Sequence, residues 1–190
     1  MSWAMQISSW LSPAPAQVSL MLVCAANICR SPMAAQVLRH MAERPSLGPA
    51  PGSSASPTRG KLKIVSAGVQ TLPRAVPLDP RAQAALLRRG YGPSVGRSRQ
   101  LELADFERFD LLLAMDGEVL ARMREACPQA QAHKLQRFLD YAPSHEGQDM
   151  PDPYWGDARG FEHVLDLCEA AAGGLLAALA RGEVLGPAPQ

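Results

Sequence analysis

Three short apolar runs stand out from an otherwise mixed chain: VSLMLV at residues 18–23, KLKIV at 61–65 and FDLLLAM at 109–115. The first is continuous and suits a strand buried on both faces of a parallel sheet, and the third is the clearest strand signal of all. Between the runs, apolar residues recur at helical spacing. Val37, Leu38 and Met41 give one apolar face to a helix expected to begin at Ser31 and Pro32, favoured cap and first-turn residues, and to run to Glu43. SAG at Ser66–Gly68 reads as a tight turn, and Asp79-Pro80 opens a second helix that stops at Gly90. A third helix is expected from about Gly117 to Ala126, ahead of Pro128, and HKLQRFL at 133–139 supplies a fourth strand. After a long loop from Asp140 to Gly160, FEHVLDLCEAAAGGLLAALARG forms a final helix. Alternating strands and helices predict an α/β class, three-layer αβα domain around a parallel sheet. Ligands of such sheets bind beyond the strand carboxyl ends where strand order reverses. The segment CAANICRS lies at one such end.

Composition sharpens this picture. A length of 190 residues fits one domain, placed at 18–182, with an N-terminal extension at 1–17 expected to be disordered, a flexible Pro/Gly/Ser-rich insertion at 44–60 and a tail at 183–190. The insertion joins the first helix to the second strand, and so belongs at the sheet end away from the strand carboxyl ends. Nineteen basic residues against eighteen acidic ones leave no electrostatic footprint for nucleic acid. No apolar stretch reaches the length of a membrane span, and the extension lacks the basic region of a secretory signal. Cys24, Cys29, Cys127 and Cys168 are too few and too uneven for a disulfide framework, so a reducing, cytoplasmic setting is expected. Cys127 and Cys168 read as core cysteines. His40, His133, His145 and His163 have no ligand-like spacing, and Arg88, Arg89, Arg97 and Arg99 read as solvated surface. No metal or cofactor is expected.

The chemistry concentrates between Cys24 and Arg30. The intervening Ala25, Ala26, Asn27, Ile28 and Cys29, followed by Ser31 and Pro32 at a helix head, make a turn long enough to wrap one phosphate. Successive N–H groups in such a turn form an anion-binding concavity, the helix end adds its positive dipole, and Arg30 offers a fork matching two phosphoryl oxygens. The same features favour a thiolate at Cys24, which makes the loop both cradle and nucleophile. Taken alone, a Cys ending an apolar strand is ordinarily a packing residue, and an Asp before Pro, as at Asp152, ordinarily a turn former. Cys24 and Cys29 as half a metal site would lack two further ligands.

CAANICRSP resembles the signature of the low-molecular-weight protein tyrosine phosphatases. Ser66–Gly68, Leu78–Ala82, Arg99–Asp116 and Pro151–Leu167 resemble further family segments in the expected order, so the similarity covers most of residues 18–181. The resemblance implies a four-stranded sheet of order 2-1-3-4 and hydrolysis of phosphotyrosine or another aryl phosphate. Cys24 would attack phosphorus, Arg30 would clamp the phosphoryl oxygens, and Asp152 would protonate the leaving phenolate. Ser31 matches the hydroxyl that bonds the thiolate, Asn27 and Ser66 a pair bracing the loop, and Cys29 a redox partner of the nucleophile. Tyr154, Trp155 and Leu72 match positions on the cleft walls. Ala26 replaces a usual Gly, which brings strain if the backbone there needs a positive φ. The implied partners are phosphotyrosine proteins and, by family analogy, a bacterial tyrosine kinase system. Three alternatives stay open: a thiol-dependent arsenate reductase, although residues 90–105 hold no Cys; a phosphoarginine phosphatase, against which Ile28 argues; and a silent phosphate-binding module.

Overall fold

A computed structural model describes residues 17–44, 62–70, 72–94 and 96–184. All of the expected extension but Gln17, and all of the expected insertion but Arg44, fall outside them. Four strands, β1 (Val18–Cys24), β2 (Leu62–Gly68), β3 (Leu111–Ala114) and β4 (Leu135–Arg137), form one parallel sheet of order β2-β1-β3-β4. Helices α1 (Arg30–Glu43), α2 (Pro80–Arg88), α3 (Leu103–Arg108), α4 (Gly117–Ala126) and α5 (Ala158–Arg181) complete the layers.

β1 is central and buried on both faces, as its unbroken apolar run requires. Leu20, Leu22 and Cys24 enter one core with Met33, Val37 and Leu38 of α1, Leu86 of α2 and Val164, Leu165 and Leu175 of α5. Met21 and Val23 enter a second core with Phe106 of α3 and Val119, Leu120 and Met123 of α4. The period-2 alternation of one strand thus decides which residue serves which layer. By length and composition α5 could cross a membrane, yet half of its apolar window is buried inside the domain, so it is the spine of the first core.

Several boundaries differ from the sequence expectation. SAG is not a turn: β2 continues through Gly68, because Ser66, Ala67 and Gly68 pair in register with Leu22, Val23 and Cys24. Gly68 is needed for space. A Cβ there would meet Ala25 O at 2.7 Å and Asn27 N at 2.9 Å. α1 begins one residue early, at Arg30, and Ser31 does not cap it because its hydroxyl is used elsewhere. α5 begins at Ala158, where the Asp157 side chain accepts from Arg159 N at 2.9 Å. The fourth strand shrinks to three residues between two 3-10 turns, Gln129–Lys134 and Phe138–Tyr141. The short α3 went unforeseen, although Asp105 accepts from Glu102 N at its start. The expected tail begins too early: Gly182, at φ 72°, ends α5 in a left-handed cap and Val184 then packs on the core.

Candidate active site

From β1 the chain crosses to β2 on one side and from the adjacent β3 to β4 on the other, so connections leave these neighbouring carboxyl ends in opposite directions and open a crevice there. Residues 24–30 fill it. Their carbonyls are engaged from outside the loop: Val69 N–H donates to Cys24 O at 3.1 Å, Gln70 N–H to Ala25 O at 2.9 Å and Asp79 N–H to Ile28 O at 2.8 Å. Two neighbouring segments, the one that follows β2 and the one that opens α2, therefore hold the loop's rim.

Two donors converge on the Cys24 sulfur, Asn27 N–H at 3.2 Å and the Ser31 hydroxyl at 3.0 Å. Asn27 organises this corner. Its side-chain amide donates to Ser31 Oγ at 3.0 Å and Ser66 Oγ at 2.9 Å, and its carbonyl accepts from Arg99 N–H at 3.0 Å. Because Asn27 donates into the Ser31 oxygen, the single Ser31 proton is left to face either Cys24 Sγ or Ala67 O, 3.2 Å away. The residue with positive φ is Asn27, at 59°, and Asn tolerates that region; Ala26 does not have a positive φ, so the strain its Cβ threatened does not arise.

Arg30 is buried, and its guanidinium reads three acceptors. Nη1 donates to Asp116 Oδ2 at 2.5 Å and Met150 O at 3.1 Å, while Nη2 donates to Asp152 Oδ2 at 3.0 Å. The first carboxylate is enclosed and the second is half exposed, which makes Asp116 a brace and leaves Asp152 at the mouth. Asp116 also caps α4, accepting from Val119 N–H at 2.7 Å. Asp152 Oδ1 accepts from Tyr154 N–H at 3.1 Å, which sets the carboxylate's orientation within its own turn.

Tyr154 and Trp155 stack edge to face at 4.9 Å, and Trp155 is 91% exposed, so these rings do not pin their loop to the core. Leu72 is half-buried on the segment that Gln70 ties to the loop. Cys29 is buried, and desolvation, with the charges of Asp79, Cys24 and Asp152 after it, pushes its thiol up to about 12.

The family profile for low molecular weight phosphotyrosine protein phosphatases matches residues 19–184. This chain belongs to that family. Among relatives, the low molecular weight protein-tyrosine-phosphatase of Streptomyces coelicolor is 38% identical over 160 residues, covering 83% of this chain and 90% of that protein. YfkJ of Bacillus subtilis is 31% identical over 168 residues, 88% of this chain and 99% of its own length. The crystal structure of a protein tyrosine phosphatase from Entamoeba histolytica, with Hepes in its active site, superposes with TM-score 0.76 at 28% identity, over 88% of this chain and 99% of that one. The protein is a cysteine-dependent protein-tyrosine phosphatase, and its fold has the sheet order the resemblance implied.

Three residues of the phosphatase site escaped the sequence reading. Asp116 entered only as the last residue of the Arg99–Asp116 segment, and nothing in the sequence says that it faces Arg30 across 86 positions. Arg99 was read as solvated surface, yet its backbone braces Asn27 and its guanidinium grips buried Asp105 at 2.9 and 3.1 Å. Arg81, in the LDPRA segment, reaches Tyr154 O and Gly156 O. Arg88 and Arg89 are likewise paired, with acidic residues of α5. Cys127, expected in the core, is the half-buried C-cap of α4 and packs against the edge of the second core.

Proposed function

We propose that Cys24 is the nucleophile, Arg30 the phosphate clamp and Asp152 the acid and base of phosphotyrosine hydrolysis. Sulfur attacks phosphorus in line with the departing phenolate, the P–O bond breaks as the S–P bond forms, and protonated Asp152 transfers its proton to the phenolate oxygen. Asp152 then takes a proton from water as water attacks the phosphocysteine, and free phosphate and the Cys24 sulfur are regenerated. The observation that carries this reading is the Arg30–Asp152 contact at 3.0 Å, which brings a half-exposed carboxylate to the mouth of the loop from 122 residues away. Substrate oxygens would take over Arg30 Nη2 and free Asp152 Oδ2 to face the ester oxygen. Loop amides from Ala25 to Arg30 would share the phosphoryl charge with the guanidinium. Ser31 would steady the sulfur in attack and departure by swinging its proton from Ala67 O. Asn27 and Ser66 would hold that hydroxyl in place.

Tyr154 and Trp155 would flank the substrate ring on one side and Leu72 on the other. Cys29, beside the nucleophile on the same loop, would capture an oxidised Cys24 as a disulfide before further oxidation. A chemistry that needs free thiols fits a cytoplasmic setting, and a bacterial-type tyrosine kinase system would supply the phosphoprotein partner. Steady-state hydrolysis of phosphotyrosine, phosphoserine and phosphoarginine peptides tests the substrate class, with strong aryl preference expected. Cys24→Ser should abolish turnover while retaining phosphate binding, and Asp152→Ala should slow phosphotyrosine hydrolysis by about 100-fold or more. Turnover surviving the loss of Cys24 would end the proposal.

A further inference from the structure

The turn that carries Asp152 has little of its own to hold it. Tyr154 is partly exposed and Trp155 almost wholly so, and they lean on each other. Pro153 is buried, but it has no N–H to anchor. What grips the turn is Arg81, on the first turn of α2. Its Nη2 donates to Tyr154 O at 2.9 Å and its Nη1 to Gly156 O at 3.2 Å. Nε and Nη2 also donate to the two oxygens of Asp79, at 3.1 and 2.9 Å. The guanidinium carbon lies 5.6 Å from the Tyr154 ring centre and 4.8 Å from that of Phe161, which is buried at the start of α5. Every nitrogen of the fork is engaged, so its position is fixed although the side chain is 42% exposed.

Both ends of this arrangement reach the reacting groups. Tyr154, whose carbonyl Arg81 holds, is the residue whose N–H sets Asp152 Oδ1. Asp79, whose carboxylate Arg81 holds, donates its own N–H to Ile28 O on the phosphate loop. One side chain therefore ties the loop that would receive phosphate to the turn that would deliver the proton.

We infer that Arg81 is a positioning residue for proton delivery to the leaving group, acting through the Tyr154 backbone on Asp152 and registering that turn against the phosphate loop. The inference rests on Asp152 being the acid. Arg81 touches neither phosphorus nor the ester oxygen, and its loss leaves Cys24 and Arg30 in place but loosens the Tyr154 backbone that orients the Asp152 carboxylate.

Leaving-group dependence tests this, because kcat/KM reports the first step alone, and a misplaced acid matters most when the departing oxygen is basic. Tyrosine, whose phenol has a pKa of about 10, needs the proton, whereas 4-nitrophenol leaves readily without it. For Arg81→Met the expected fall in kcat/KM is about tenfold with a phosphotyrosine peptide and about twofold or less with 4-nitrophenyl phosphate. Arg81→Lys keeps the stem and the charge over the two rings but lacks the fork, and should show the same selective fall. It also carries the test if the Met variant does not fold, as judged by thermal unfolding. An equal fall on both substrates would make Arg81 a merely structural residue, and no fall on either would remove it from the mechanism; both overturn the inference. If Asp152→Ala itself shows no preference between the two substrates, the assignment of the acid fails first, and that failure is separately visible.

Discussion

Two buried thiols share the Cys24–Arg30 loop, and their surroundings separate them. Cys24 receives an N–H and a hydroxyl at its sulfur. Cys29 is enclosed first by burial and then by the negative charges of Asp79, Cys24 and Asp152, so its thiol is pushed up to about 12. A raised thiol pKa means that the proton stays on through neutral and mildly alkaline pH, and thiolate forms only as pH nears that value. Iodoacetate at pH 7 should therefore alkylate Cys24 and leave Cys29 untouched, with inorganic phosphate protecting Cys24; peptide mapping by mass spectrometry reads both sites. Label appearing first on Cys29 would reverse the assignment of the two sulfurs. The neighbouring Asn27 shows how much one residue does here: left-handed backbone, one N–H to sulfur and three side-chain hydrogen bonds meet in it.

At the scale of elements, α5 carries adjacent glycines in mid-helix, each of which costs roughly 1 kcal/mol relative to Ala by propensity alone. Their surroundings differ. A Cβ on Gly173 would meet only the flexible end of Met41 at 3.7 Å, whereas one on Gly174 would lie 1.8 Å from the carbonyl oxygen of Tyr141. Gly174 therefore lets the Phe138–Tyr141 turn lie directly on the helix. Gly173→Ala should stabilise the protein by up to about 1 kcal/mol, and Gly174→Ala should destabilise it by about 1–3 kcal/mol or more, because backbone must move. Urea unfolding of the two variants measures the difference in sign. The first turn of α1 follows similar logic, since the Ser31 hydroxyl is committed to the Cys24 corner and is not free to cap the helix.

Across the whole molecule, α2 is fastened to α5 by Arg89, which pairs with Glu162, Asp166 and Glu169, while Arg88 joins Glu162. The hydrogen bond from Arg88, and Arg89's after it, holds the Glu162 carboxyl below its ordinary range. A depressed carboxylate contributes stability above the ordinary carboxylate range and loses it as pH falls through the folded value. Arg89→Met should accordingly lower stability at pH 7 by about 1 kcal/mol, or a few degrees in Tm, since partly exposed pairs are screened. The gap to wild type should narrow towards pH 3 in thermal scans; a gap that stays constant with pH would mean that Arg89 acts through packing alone.

Local signals in the chain determined the repetitive parts of this protein: the two-faced burial of β1, the Asp79-Pro80 start of α2, the Gly117–Ala126 helix and the Cys24-to-Arg30 loop at a strand end. Each depends on residues close together, so pattern and spacing suffice to reveal it. α3 escaped because six residues give too little periodicity, and SAG read as a turn because small residues at a close approach look like turn formers. Only the folded chain decided that Asp116 and Asp152 meet on Arg30, that Gly68 and Gly174 lie against foreign backbone, and that Arg81 spans two loops. These are contacts between segments tens of residues apart, fixed by the order and register of strands, and no short stretch of sequence contains the distance between its own side chains and those of another.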